Sequence, residues 1–124
     1  MAIYLKQPEE QLQKACIDWM RWQHKNVLCF HVPNGGQRNK VVAIKLKMTG
    51  VKSGIPDIFI EEAKGGYHGA RIELKIKPNK PSDEQIKIMK QLELAGYYVN
   101  VCYSFDEFKA VVTDYLQDKL IKGL

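Results

Sequence analysis

Asp57, Glu73 and Lys75 are the residues of this 124-residue chain whose types and spacing can do chemistry together. Residues 54–60 read Gly-Ile-Pro-Asp-Ile-Phe-Ile and residues 70–75 read Ala-Arg-Ile-Glu-Leu-Lys. Both stretches have strand character, and the polar, glycine-rich segment between them reverses the chain, which makes a β-hairpin. Side chains alternate faces along a strand, so Glu73 and Lys75 share a face and Leu74 takes the other. The reversal sets Asp57 beside Glu73. Facing carboxylates repel unless a cation lies between them, and hard oxygen donors with open positions suit Mg²⁺ or Mn²⁺. A neighbouring ammonium can orient an activated water or help to deprotonate it. Taken alone, Glu73 and Lys75 would be an ordinary cross-strand charge arrangement. The ordered set to which they belong is more specific.

The order Pro56-Asp57, spacer, Glu73-Leu74-Lys75 resembles the PD-(D/E)XK nuclease superfamily. Within it, His31-Val32-Pro33-Asn34-Gly35-Gly36, Gly50, Gly54-Ile55-Pro56-Asp57, Ile72-Glu73-Leu74-Lys75 and Gln85 together resemble the VRR-NUC family. The resemblance implies a restriction-endonuclease-like α/β fold and a metal-dependent DNA endonuclease. It implies that Asp57, Glu73 and the backbone carbonyl of Leu74 hold Mg²⁺ or Mn²⁺, which polarises the scissile phosphate and activates the attacking water. Lys75 would orient that water or stabilise the developing charge. Glu9 matches the acid on the family's first helix, although Glu10 would complement a helix dipole equally well. Gln85 matches a glutamine that follows the Glu-x-Lys strand, and both Glu9 and Gln85 join the candidate catalytic set on that ground. Small stand-alone, phage-type members resemble dimeric Holliday-junction resolvases. A homodimer acting on branched or four-way-junction DNA is therefore expected, since one site per short chain needs a second copy to cut two strands symmetrically. A non-catalytic DNA-binding module of the same fold is the alternative, and the filled catalytic positions argue against it.

The elements that must position these residues follow from periodicity. Pro8 and Glu9 open a helix whose apolar stripe is Leu12, Ala15, Cys16, Trp19 and Met20 and which ends near His24. Residues 27–32 form a short apolar run bounded by Asn26 and Pro33, a buried strand. His31 either faces the site or lies in the core. The loop that follows carries Asn34 and Arg38, candidates for holding a phosphate together with backbone N–H groups. Residues 40–48 are ambiguous in period and are assigned to a short helix, because good helix formers dominate. Arg38, Lys40, Lys45, Lys47 and Lys52 make this the densest basic segment, and with Asn34 they are the expected DNA contacts. After the hairpin, Ser82 to Gln85 has the form of a capping box, opening a helix with Ile86, Met89 and Leu92 on its core face and Gly96 past its end. Residues 97–103 form a fourth strand, and Ser104 to Glu107 is a second capping box before a last helix. The result is a mixed sheet of about four strands flanked by helices, one domain spanning 1–124.

Composition agrees with such a protein. The chain is 45% hydrophobic and 10% aromatic, which marks a folded domain, and its 19 basic against 14 acidic residues leave a net charge of +5 that favours a polyanion. Cys16, Cys29 and Cys102 lie far apart, with neither zinc spacing nor a disulfide framework. The N-terminus is too quickly polar for a signal peptide, and no apolar run approaches membrane-spanning length. An intracellular setting follows, the cytoplasm of a bacterial host if the chain is phage-encoded. No phosphate-loop or dinucleotide glycine pattern points to a metabolite enzyme. Tyr4, Leu5 and Trp22, unused by the first helix's stripe, are candidates for self-association.

Overall fold

The computed structural model describes residues 4–33 and 39–124. Its elements run α1 (Pro8–Gln23), β1 (Cys29–His31), α2 (Lys40–Met48), β2 (Ile58–Ile60), β3 (Ala70–Leu74), α3 (Asp83–Leu94), β4 (Tyr98–Cys102) and α4 (Phe105–Leu116). The four strands form one sheet in the order β1-β2-β3-β4. β1 pairs antiparallel with β2 and β2 antiparallel with β3, whereas β3 and β4 are parallel. Parallel neighbours need a long crossover, and α3 supplies it.

One face of the sheet holds the core. Ile58 and Ile60 on β2 and Ala70, Ile72 and Leu74 on β3 meet Leu12, Cys16, Ile17 and Met20 of α1 and Phe108, Val112 and Tyr115 of α4. Each fully buried large apolar side chain contributes about 1.5–3 kcal/mol relative to exposure. On the opposite face the Arg71 guanidinium lies between the rings of Phe59 and Tyr97, at 4.0 and 4.1 Å from their centroids, and pairs with the Glu61 carboxylate. β3 is consequently buried at all five positions. That rigidity matters, because β3 carries Glu73 in its interior and delivers Lys75 at its end.

Sequence expectations are corrected at β1, α3 and α4. The first strand is shorter than residues 27–32 and, among the described residues, lies at the edge of the sheet, with Phe30 partly exposed on the face opposite the core beside Phe59. The buried face of α3 is Ile88 and Met89, whereas Ile86 is 39% exposed. The reason is that α3 packs across β4 and against the loop before β2, where Ile88 lies beside Gly54. The helix assigned to residues 40–48 is present, capped by Asn39, whose Oδ1 accepts from Val42 N at 2.8 Å, yet none of its residues is buried. The capping box of α3 is complete, with Ser82 Oγ accepting from Gln85 N and Gln85 Oε1 accepting from Ser82 N. At α4, Ser104 caps Glu107 N but Glu107 reaches past it to Tyr103 N. Among the described residues no helix is long and apolar enough to cross a membrane.

Candidate metal centre

The β2–β3 register pairs Ile58 with Ile72 and, one step back along β2, brings Asp57 level with Glu73. Asp57 sits just before β2, at the end of a loop that α3 fastens. Gly54 adopts φ +84°, and a Cβ there would press on Glu84 and Ile88 of α3. Ser53 Oγ donates to Glu84 Oε1 at 2.7 Å, and Pro56 is fully buried. Asp57 is then held at both ends. Its carbonyl accepts from Val32 N at 2.8 Å and from His31 Nδ1 at 3.0 Å, and its Oδ2 accepts from Leu74 N at 2.7 Å.

The first turn of α1 adds a third acid. Carboxylate oxygens of Glu9, Asp57 and Glu73 all lie within 4.8 Å of one another. Glu73 is 1% exposed and its Oε2 is buried without a hydrogen-bond partner. Burial pushes the Glu73 carboxyl up to about 9, its hydrogen bond to Asp57 and the Asp57 charge add to this, and Lys75 opposes it. Glu9 is raised too, by burial first and then by the Asp57 charge, with Lys75 opposing. The charge of Lys75 therefore reaches both acids. With all three carboxylates ionised the group carries a formal −3, and Lys75 returns +1, leaving −2. One divalent cation held by these carboxylates would cancel that remainder and give the orphaned Glu73 oxygen a partner. The donors are all hard oxygens, which fits a cation of the Mg²⁺, Mn²⁺ or Ca²⁺ class rather than a thiophilic metal.

Of the other expected site residues, Leu74 lies beside this cluster. Lys75 N donates to Cys102 O on β4. In a trans peptide the carbonyl points opposite to the amide hydrogen, so the Leu74 carbonyl faces the Asp57 side. Gln85 is at the start of α3 with its side-chain oxygen engaged by Ser82. Lys40, Lys45 and Lys47 are solvent-facing on α2 and Lys52 is exposed in the loop beyond it. Asn34 and Arg38 lie outside the described residues.

A model of the VRR-NUC domain matches residues 7–106, a span that contains Glu9, Asp57, Glu73, Lys75 and Gln85. The chain belongs to the VRR-NUC family. It is a nuclease-type domain, and the family implies DNA as its substrate. A solved VRR-NUC domain protein is similar over 98% of each chain, with a TM-score of 0.77 and 25% identity. A second solved VRR-NUC domain superposes with a TM-score of 0.57 over 86% of this chain and 96% of its own, at 20% identity, a likeness of fold. No curated protein matches the chain.

Sequence reasoning missed two parts of this VRR-NUC site. The Ser53–Glu84 contact spans 31 positions and has no sequence signal beyond two polar residues. The bond from His31 to Asp57 was hidden for a similar reason, because it needs the β1–β2 register.

Proposed function

We propose that this chain is a divalent-metal-dependent DNA endonuclease that selects branched DNA, as a homodimer able to cut both strands of a four-way junction, inside the cell where such DNA is found. The observation that carries the hydrolytic part is the trio of carboxylates within 4.8 Å, one of them almost wholly buried with an unpartnered oxygen, two residues before Lys75. Asp57, Glu73 and the Leu74 carbonyl would hold the cation, Mg²⁺ or Mn²⁺, with Glu9 as a further ligand. When bound, such an ion supplies Lewis-acid stabilisation of phosphoryl charge and acidifies water.

The chain's own groups do the rest. Lys75 presents an ammonium beside the carboxylates, placed to orient the attacking water or to meet negative charge developing on the phosphate. The Leu74 N–H bond to Asp57 fixes the orientation of that carboxylate beside Glu73. Gln85 stabilises the start of α3, which in turn fastens the loop that carries Asp57. The lysines of α2 and Lys52, with Asn34 and Arg38, supply sequence-independent attraction to phosphates. Two-strand cleavage calls for a partner copy, and the uncovered apolar side chains of α2 support one.

The test is cleavage of labelled linear, nicked, flapped and four-way-junction DNA in Mg²⁺, Mn²⁺ or EDTA. Incision that requires the divalent ion and favours the junction is expected. Binding without incision in either ion would replace this reading with a non-catalytic module.

A further inference from the structure

We propose that His31 is a positioning residue for the metal centre: its Nδ1–H clamps the backbone carbonyl of Asp57 and thereby aims the Asp57 carboxylate at the cation. The inference rests on the metal-dependent reading above. Asp57 precedes β2, so its backbone is not held by the body of a strand ladder. Its carbonyl nevertheless accepts two hydrogen bonds, from Val32 N at 2.8 Å and His31 Nδ1 at 3.0 Å. A carbonyl oxygen has two lone pairs and can only accept, so Nδ1 carries the hydrogen and the carbonyl is fully satisfied. At the far end of the same residue, Oδ2 accepts from Leu74 N. The aim of the carboxylate is thus set by two anchors together, the peptide plane at one end of the residue and the Leu74 N–H at the other.

The ring that makes this bond is itself held. His31 pairs with Ile58 across β1 and β2, and its half-buried side chain lies against α1 in a groove with Glu10, Gln13 and Ile17. A histidine on the core-facing side of an otherwise apolar edge strand has one evident reason to be there, the donor it offers to Asp57. Folding as such does not depend on the bond, because Val32 N still gives the carbonyl a partner and one neutral hydrogen bond contributes only about 1 kcal/mol. Its effect should be felt where half an ångström in a ligand matters. Partners that orient metal ligands typically change metal affinity by 10–100-fold.

The side-chain chemistry provides a discriminating pair of variants. An asparagine amide nitrogen stands the same number of bonds from Cβ as Nδ1, whereas a glutamine amide nitrogen stands where Nε2 does. Mn²⁺ affinity of the DNA-free protein, measured by calorimetric titration with thermal melts alongside, is the readout. His31→Ala and His31→Gln should weaken Mn²⁺ binding by about tenfold while His31→Asn stays near wild type. Wild-type affinity in His31→Ala, or rescue by Gln and not by Asn, would overturn the proposal. Should the alanine variant not fold, the Asn and Gln pair decides alone. A wild-type protein that binds no Mn²⁺ would instead remove the metal-dependent reading itself, and this proposal with it.

Discussion

Glu73 bears a heavy electrostatic cost, since its carboxyl is almost wholly buried and close to Asp57 and Glu9, with the Lys75 charge opposing. Its burial beside two other acids costs stability, which is the mark of a candidate binding group. Asp57→Ala and Glu73→Ala should each reduce cleavage by more than about 10²-fold, beyond the loss of an orienting partner, while DNA binding persists. Activity surviving at more than a few per cent of wild type in both variants would remove the metal-site assignment. A second expectation concerns the metal-free protein. Burial pushes the folded Glu73 carboxyl up from 4.5 to about 9, so across that window the native state holds more protons than the unfolded one. Stability must then fall as pH rises through that window, the slope having the sign of protons bound by the unfolded state minus those bound by the native state. Glu9 acts in the same direction. His24, lowered by burial, acts oppositely at the acid end, so the comparison should be wild type against Glu73→Gln in EDTA. The variant should melt with a flatter pH dependence, and parallel curves would mean that Glu73 is not the group responsible. Asp57, Glu73 and Lys75 were legible in the sequence because each stands at a fixed short spacing on a regular strand or beside a proline. Glu9 was not separable from Glu10, since both complement the dipole of α1 and only the rotation of the helix decides which one reaches the acids.

The helices and strands were readable wherever a single face is buried. α1, α4 and β2 carry clear periodicities, although in α1 the expected stripe left out Ile17, which is buried, and included Ala15 and Trp19, which are only partly so. The pattern failed where an element meets two surfaces or none. α3 divides its buried side between β4 and the Gly54 loop, which moves the stripe to Ile88 and Met89. β1 reads as an interior strand because Val27, Leu28 and Phe30 are apolar, although the sheet leaves it at the edge. Gln85 shows how one residue can satisfy a motif for a local reason: at N3 of α3 it completes the capping box. α2 is the opposite case, an element with no buried residue and with a proposed role that is electrostatic. Its Lys45 and Lys47, with Lys52 beyond it, face solvent and are free to meet phosphates. Replacing all three with alanine should weaken duplex binding and flatten the dependence of log K on log salt by roughly 0.9 for each lysine that contacts a phosphate. Titrations at several salt concentrations check this, and an unchanged slope would make the segment an ordinary solvated face.

At the scale of the whole molecule, α2 raises the question of what completes the structure. Helices shorter than about 12–15 residues are marginal in water unless something covers their apolar side. α2 has nine residues, and its Val41, Ile44 and Met48, at i, i+3 and i+7, are 60%, 55% and 81% exposed. This stripe is a better seat for a second copy than Tyr4, Leu5 and Trp22, because Trp22 already has Lys25 over its ring and Leu5 lines grooves on α1. A two-fold dimer through α2 would also carry the basic segments of both copies along with it, and a junction offers two equivalent strands to two equivalent sites. The protein should therefore sediment as a dimer at micromolar concentration and incise a four-way junction in preference to linear duplex. Ile44→Lys should shift it to monomer and convert paired incision of the junction into single nicks, with the melting temperature lowered only through the lost association. A wild-type monomer that cuts linear duplex as readily as a junction would defeat the dimer and the branched substrate together. A dimer that Ile44→Lys leaves intact would keep both and move the interface elsewhere on the chain.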